Sequence, residues 1–216
     1  SLPEQIRWID ACGALEAHRD EEIYYRTDHH WTSLGAWYAF QEAKKVMALN
    51  EAYTEKLTPR AVSDSFNGTL SARSGYERGF REPIYIYFPG GTEGTQAVVY
   101  DVDKGENTAS LYAPEKLKEK DQYGVFLGGN RPLLDIRTTS ESPEKLLIFK
   151  DSYANCLIPF LVPYFRQILV VDPRYYYGDV EALIQENQIG SILFLYNGNT
   201  FFTDNSLSGV LAEQAG

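Results

Sequence analysis

Three side chains of this sequence could together cleave an ester: Ser152, His30 and Asp28. Ser152 lies in the stretch LLIFKDSYANCLIPFL, residues 146–161. Residues 146–149 read as a short buried strand, and an apolar segment that could begin a helix follows the serine. A strand ending in serine at the mouth of a helix sets the hydroxyl at the C-terminal edge of a sheet. There the N–H groups of a helix N-terminus can stabilise developing negative charge. A serine so placed can equally be a helix cap. Nucleophilic use demands a base within hydrogen-bond reach and a carboxylate that fixes the tautomer of the base. The stretch YYRTDHHWTSLGAWYA, residues 24–39, holds two of the three histidines of the chain. In an extended segment residues i and i+2 share a side, so Asp28 and His30 lie on one face and His29 on the other. The competing reading of this stretch is a capped turn with His29 and Trp31 packed inward.

The elements that must position these groups follow from the periodicity. Residues 3–19 carry a loose apolar stripe of helical spacing behind Pro3, and residues 23–26 form a short β-prone run. From Ser33, a plausible cap, to about Leu49 the pattern is helical, with Ala36, Phe40, Ala43 and Met47 on one face. Residues 51–143 read as a β-rich insertion, with short strand candidates at 84–88, 97–102, 124–127 and 133–138. Gly128 and Gly129 offer positive φ for a turn between the last two candidates. FNGTLSARSGY, residues 66–76, reads as a loop. From Lys145 the pattern becomes α/β: strands at 146–149, 168–171 and 191–195, with a helix at 179–185 and kinks at Pro159 and Pro163. Two βαβ units imply a parallel sheet with right-handed crossovers and a ligand crevice beyond the carboxyl ends of its strands. Ser152, Arg174, Asn197 and Asn199 converge on that rim. Asp28 and His30 join them if residues 23–26 enter the same sheet.

TDHHWTSLGAWYAF resembles the signature of the DHHW family, and KDSYAN after a strand resembles the serine block of SGNH-type hydrolases. The order in the chain is similar to that of alginate and cell-wall O-acetylating proteins, with an Asp-x-His-Trp block ahead of the serine block. The resemblance covers about residues 23–46 and 146–195. Lys150 stands where the family's serine block carries glycine, and no glycine-x-Asn-Asp block is present. The resemblance implies an SGNH-like (flavodoxin-like) parallel sheet flanked by helices, formed by residues 1–50 and 144–216, with the β-rich insertion at 51–143. It implies Ser152 as nucleophile, His30 as base and Asp28 as its orienting acid. Arg174 and Asn197, with Asn199 as a rival, take the oxyanion positions, and Trp31 and Tyr175 to Tyr177 form an aromatic rim for a sugar. The implied activity is an O-acetyl esterase or O-acetyltransferase on a cell-surface carbohydrate, outside the cell, with an acyl donor and no cofactor. The competing class is a carbohydrate-binding module that kept the fold without turnover.

Composition sets the outer bounds. At 216 residues the chain can hold one α/β domain with a full core. A formal net charge of −10 argues against a nucleic-acid backbone or an anionic membrane surface as partner. No apolar run is long enough to span a bilayer, and no signal peptide is visible. The chain begins at serine rather than methionine, which reads as a trimmed piece lacking its targeting segment. Cys12 and Cys156 fit neither a disulfide scaffold nor a zinc site, and leave one bridge open. A zinc site from Asp28, His29 and His30 is disfavoured, since adjacent histidines rarely face one metal and His18 has no obvious geometry. DHH phosphoesterases need further upstream aspartates that Asp10 and Asp20 do not recreate, and DHHC acyltransferases need a cysteine where Trp31 stands.

Overall fold

The structure is a computed structural model that describes residues 3, 5–50, 58–75, 79–88 and 95–212. Its centre is the run that the serine follows. Strand β6 (Lys145–Lys150) has Leu146 and Ile148 in the larger core and Leu147 and Phe149 in a smaller one, all fully buried. A strand covered on both faces needs an unbroken apolar run rather than alternation. Strand β7 (Gln167–Val171) repeats the arrangement and lies parallel to β6 on one side, with β8 (Ser191–Leu195) parallel on the other.

The sheet is mixed, which corrects the expectation of a parallel one. Its order is β4-β3-β5-β7-β6-β8, where β3 is Ala97–Asp101, β4 Glu106–Thr108 and β5 Leu133–Thr138. β5 runs antiparallel to β7, and β3 antiparallel to both β5 and β4. The middle of the chain is therefore divided. Its second part extends the main sheet, while β1 (Thr58–Phe66) and β2 (Glu82–Phe88) form a separate antiparallel pair. The anticipated boundary at residue 51 lies outside the described residues.

Helix α1 spans only Ala11–Glu16, because the Asp10 side chain caps it by accepting from the Gly13 N–H. Helix α2 (Ser33–Val46) is capped by Thr32 rather than Ser33. Ser33 is its first residue, and its hydroxyl donates to the Tyr85 carbonyl at 2.6 Å. Ala36, Phe40 and Ala43 on α2 are buried, and Phe40 packs on Phe160 and Tyr164, with ring centroids 5.7 and 5.8 Å away. Residues 23–26 do not enter the sheet; Tyr24 forms a lone bridge with Trp31. Residues 122–125 form a 3-10 turn instead of a strand. Beyond it Gly128 and Gly129 do adopt φ of 71° and 90°, a region that glycine enters without steric cost. Residues 66–76 are no plain loop: Thr69–Ser74 forms helix α3.

After β6 the chain makes a 3-10 turn at Ser152–Cys156, helix α4 (Ile158–Leu161) and another 3-10 turn at Val162–Tyr164. Pro159 and Pro163 each sit in a first helical turn, the position where their missing N–H is tolerated. Helices α5 (Val180–Asn187), α6 (Gly198–Thr203) and α7 (Ser206–Ala212) follow, with α5 and α7 covering the smaller core.

Because Phe40 clamps α2 onto the segment that follows the serine turn, Phe40→Ala should lower unfolding free energy by about 3–5 kcal/mol. Urea denaturation measures it. A loss below about 1 kcal/mol would show that the site collapses around the smaller side chain.

Candidate active site

The structure brings Asp28, His30 and Ser152 into one hydrogen-bonded chain. Asp28 Oδ1 accepts from the His30 backbone N–H at 3.0 Å and from His30 Nδ1 at 2.5 Å. With the proton on Nδ1, Nε2 is left to accept from the Ser152 hydroxyl at 2.7 Å. Asp28 and His30 are buried, and Ser152 is half-buried. The i, i+2 spacing works here in a loop closed by the Tyr24–Trp31 bridge, not in a sheet strand. The Tyr25 N–H donates to the His30 carbonyl at 3.2 Å and closes the same loop.

Residues from the middle of the chain complete the setting. Thr69, at the start of α3, donates to Asp28 Oδ2 from its N–H at 2.7 Å and from its hydroxyl at 2.9 Å. The Thr69 hydroxyl in turn meets His29 Nδ1 at 2.7 Å. Gly68 must lack a side chain, since a Cβ there would stand 2.2 Å from the Asp28 Cβ. Glu82, the first residue of β2, accepts from the Arg26 and Thr27 N–H groups at 2.8 and 2.7 Å and from the Thr27 hydroxyl at 2.5 Å. Tyr123 stacks on the His30 ring, with centroids 3.8 Å apart and planes 9° apart. Thr69, Glu82 and Tyr123 carried no sequence signal as site residues; the NGT that opens α3 was the one available hint.

The serine turn is pinned from both flanks. Asp151 caps it by accepting from the Tyr153 N–H at 2.9 Å, and its other oxygen accepts from the Asn197 N–H at 3.0 Å. Ser152 is thus the first residue of the turn and not its cap. The Trp31 indole N–H donates to the Tyr153 carbonyl at 2.9 Å, and the Tyr153 hydroxyl donates to the His29 carbonyl. Lys150 is buried beneath, its Nζ 2.8 Å from Asn130 Oδ1 and 3.4 Å from Asp172 Oδ2. Asn155 donates to the same Asn130 oxygen at 3.2 Å.

The remaining anticipated residues stand elsewhere than expected. Arg174 forms a two-pronged pair with the fully buried Asp172, at 2.8 and 2.6 Å, so its guanidinium is held there. The Asn197 side chain caps α6 by accepting from the Asn199 N–H at 2.8 Å, while Asn199 is exposed. Trp31 is buried under the serine turn and presents no face to a sugar. Tyr175 and Tyr177 are exposed. Cys12 and Cys156 are both free thiols, and burial pushes Cys156 up to about 12. Ligand atoms of Asp28, His29 and His30 do lie within 4.8 Å of one another, closer than adjacent histidines suggested. Both Asp28 oxygens are already engaged by His30 and Thr69, so a metal there would have to break that chain. Among the described residues no helix is long and apolar enough to cross a membrane.

Burial alone would raise the Asp28 carboxyl, but hydrogen bonds from the His30 ring and the Thr69 N–H outweigh it and hold the group well below the ordinary carboxylate range. Lys150 is pushed down to about 8, because burial outweighs the support of Asp172. His29 is lowered by burial and by its neighbour His30.

An α/β sheet whose serine meets a histidine–aspartate pair beyond its strand ends defines the class of architecture. The chain belongs to the DHHW protein family, which it matches over residues 8–171. A DHHW family protein from Eubacterium siraeum has a similar structure, with a TM-score of 0.78 and 29% identity, covering 94% of this chain and 68% of that one. Bacillus cereus PatB1 in a structure with a sulfonyl adduct is similar in fold, with a TM-score of 0.70 and 22% identity over 93% of this chain and 70% of its own. A second PatB1 structure gives the same TM-score of 0.70 at 20% identity, over 93% and 72% of the two chains. No curated protein matches the chain.

Two pH dependences follow. A carboxyl lowered on folding stabilises the native state above the ordinary carboxylate value of about 4 and loses that effect as pH falls through its lowered value. Asp28→Asn should therefore flatten the loss of stability that wild type shows below about pH 4, read as urea midpoints against pH. A lysine lowered on folding gives a slope of the same sign at higher pH: stability rises with pH between its folded value near 8 and the unfolded value of about 10, because the charged form is the one that burial penalises. Lys150→Met should abolish that rise. The window closes near pH 9, where the unfolded Cys156 thiol begins to ionise while the buried one, raised to about 12, does not; buried Tyr25 and Tyr123, also raised by burial, add to that loss from about pH 10. A variant curve parallel to wild type over the same window counts against the assignment in either case.

Proposed function

We propose that this protein is a serine-dependent O-acetyl esterase or O-acetyltransferase acting on a cell-surface carbohydrate, with an SGNH-like architecture and an extracellular place of action. The observation that carries the reading is the continuous hydrogen-bonded chain from Asp28 through His30 to Ser152. The acetyl group, the carbohydrate and the location rest on the resemblance of the TDHHW and KDS blocks to O-acetylating proteins.

In the reaction the Ser152 oxygen attacks the acyl carbonyl while His30 Nε2 takes the hydroxyl proton. Asp28 holds the Nδ1–H tautomer and stabilises the imidazolium that forms. The tetrahedral adduct expels the donor's alkoxide, which leaves with the proton from Nε2, and an acyl-Ser152 remains. A second oxygen nucleophile, a sugar hydroxyl for transfer or water for hydrolysis, gives its proton to Nε2 and takes the acyl group. Free Ser152 is then restored. The Arg174 guanidinium is held by Asp172 and the Asn197 side chain caps α6, so the donor assigned to the oxyanion is the Ser152 N–H. Tyr123 against the flat face of His30 keeps the ring in line and excludes water from one side.

Ser152→Ala should fold normally and lose about 10³-fold or more in p-nitrophenyl acetate hydrolysis, as removal of a triad serine does. A sulfonyl fluoride should label wild type at Ser152 and leave the variant unmodified by mass spectrometry. His30→Ala should match the serine variant, whereas His29→Ala should retain most turnover and lose stability through its bond to Thr69. Wild-type turnover in Ser152→Ala would refute the reading, and full activity in His30→Ala would remove the base.

A further inference from the structure

The loop that holds Asp28 and His30 has a second side. Residues 24–26, which enter it, and residues 32–34, which leave it, line a cleft of about 510 Å³ to which neither Ser152 nor His30 contributes. The opposite wall comes from the β1–β2 pair, with Tyr85 and Tyr87, and from residues 19–22 after α1. The volume falls within the range of small-ligand sites.

Two features of the lining select a ligand. Tyr24 and Tyr85 are 45% and 43% exposed, so large parts of both side chains are open to a partner. A tyrosine offers an apolar face to the C–H side of a sugar ring and a hydroxyl at its tip for hydrogen bonding. The second feature is charge. The lining carboxylates Asp20, Glu21, Glu22 and Glu82 outnumber Arg19 and Arg26. Each arginine already faces a carboxylate, Arg19 to Glu16 at 3.3 Å and Arg26 to Glu22 at 3.5 Å. A polyanion entering the cleft meets a net negative wall, whereas a hydroxylated, uncharged chain meets tyrosines and settled polar groups.

Position ties the cleft to the chemistry. Thr32 on its rim is two residues from His30, roughly 7 Å along an extended backbone. Tyr25, which also lines it, edges onto Tyr123, the ring stacked on His30. We propose that this cleft is an accessory subsite for an uncharged stretch of the polysaccharide whose hydroxyl is served at Ser152. The inference rests on the carbohydrate reading above, and it narrows the acceptor to neutral rather than uronic-acid sugars.

The test measures binding by calorimetry in the Ser152→Ala protein, so that loss of turnover and loss of the subsite are read separately. The probes are a fully N-acetylated, and so uncharged, chito-oligosaccharide and an oligouronate of matched length. The neutral oligomer should bind, and Tyr85→Ala should weaken it about tenfold or more, the scale of losing one well-packed aromatic contact. Tyr85→Phe should keep most of the affinity, which shows that the ring and not folding is at issue. In the wild-type background Tyr85→Ala should leave p-nitrophenyl acetate turnover unchanged. Absence of neutral-oligomer binding, unchanged affinity in Tyr85→Ala, or tighter binding of the oligouronate overturns the proposal.

Discussion

The structure turns on one buried carboxylate. Asp28 accepts four hydrogen bonds, two from His30 and two from Thr69, and each of these partners would be costly to leave unpaired so far from water. A buried charge of this kind persists only where the surroundings supply donors in fixed places. The surroundings here come from three separate parts of the chain: the Tyr24–Trp31 loop, the start of α3, and Glu82 on β2, which holds the Arg26 and Thr27 amides just ahead. The segment from β1 to β2 is thus no decoration on the domain: α3 within it supplies the Thr69 donors to the ionised aspartate, and Glu82 fixes the Arg26 and Thr27 amides just ahead of it.

A second polar group, buried beneath the serine turn, explains how that turn is anchored and why Arg174 is not free. Lys150 and Arg174 both reach Asp172, and Asn130 joins Lys150 to Asn155. Removing any one member leaves another buried group without its partner, so the cluster stands or falls as a set. The glycine expected at position 150 would have left room for water or a different partner. Lysine instead ties the end of β6 to the loop that opens at Gly128, and Asp151 ties the same end to the loop after β8. The serine is held by what flanks it on both sides.

How much of this was legible follows from where each signal lay. The strands at 146–149 and 168–171 were plain because burial on both faces demands uninterrupted apolar runs, and 191–195 is equally apolar although Ile192 and Phe194 are exposed. The pairing of Asp28 with His30 could be seen because it depends on local spacing alone. The mixed sheet could not: whether β5 lies beside β7 depends on where a chain segment returns, and no local pattern records that. Thr69 escaped notice for the same reason, since a threonine after glycine looks like any loop until its partner stands 41 residues away. Arg174 and Asn197 show the opposite case. Both follow strands on the correct rim, yet a neighbouring Asp172 and the first turn of α6 claim their side chains first. Position in a fold bounds what a polar residue can reach, and nearby unpaired groups decide what it does reach.

The bond between His30 Nε2 and Ser152 Oγ spans 122 residues of chain. Closing so long a loop is entropically costly, and contacts of such high sequence separation form late in folding. A chain still emerging from synthesis, or one with only its local helices and hairpins in place, carries an ordinary serine of no special reactivity. The contact between Ser152 and His30 comes into being with the native state itself.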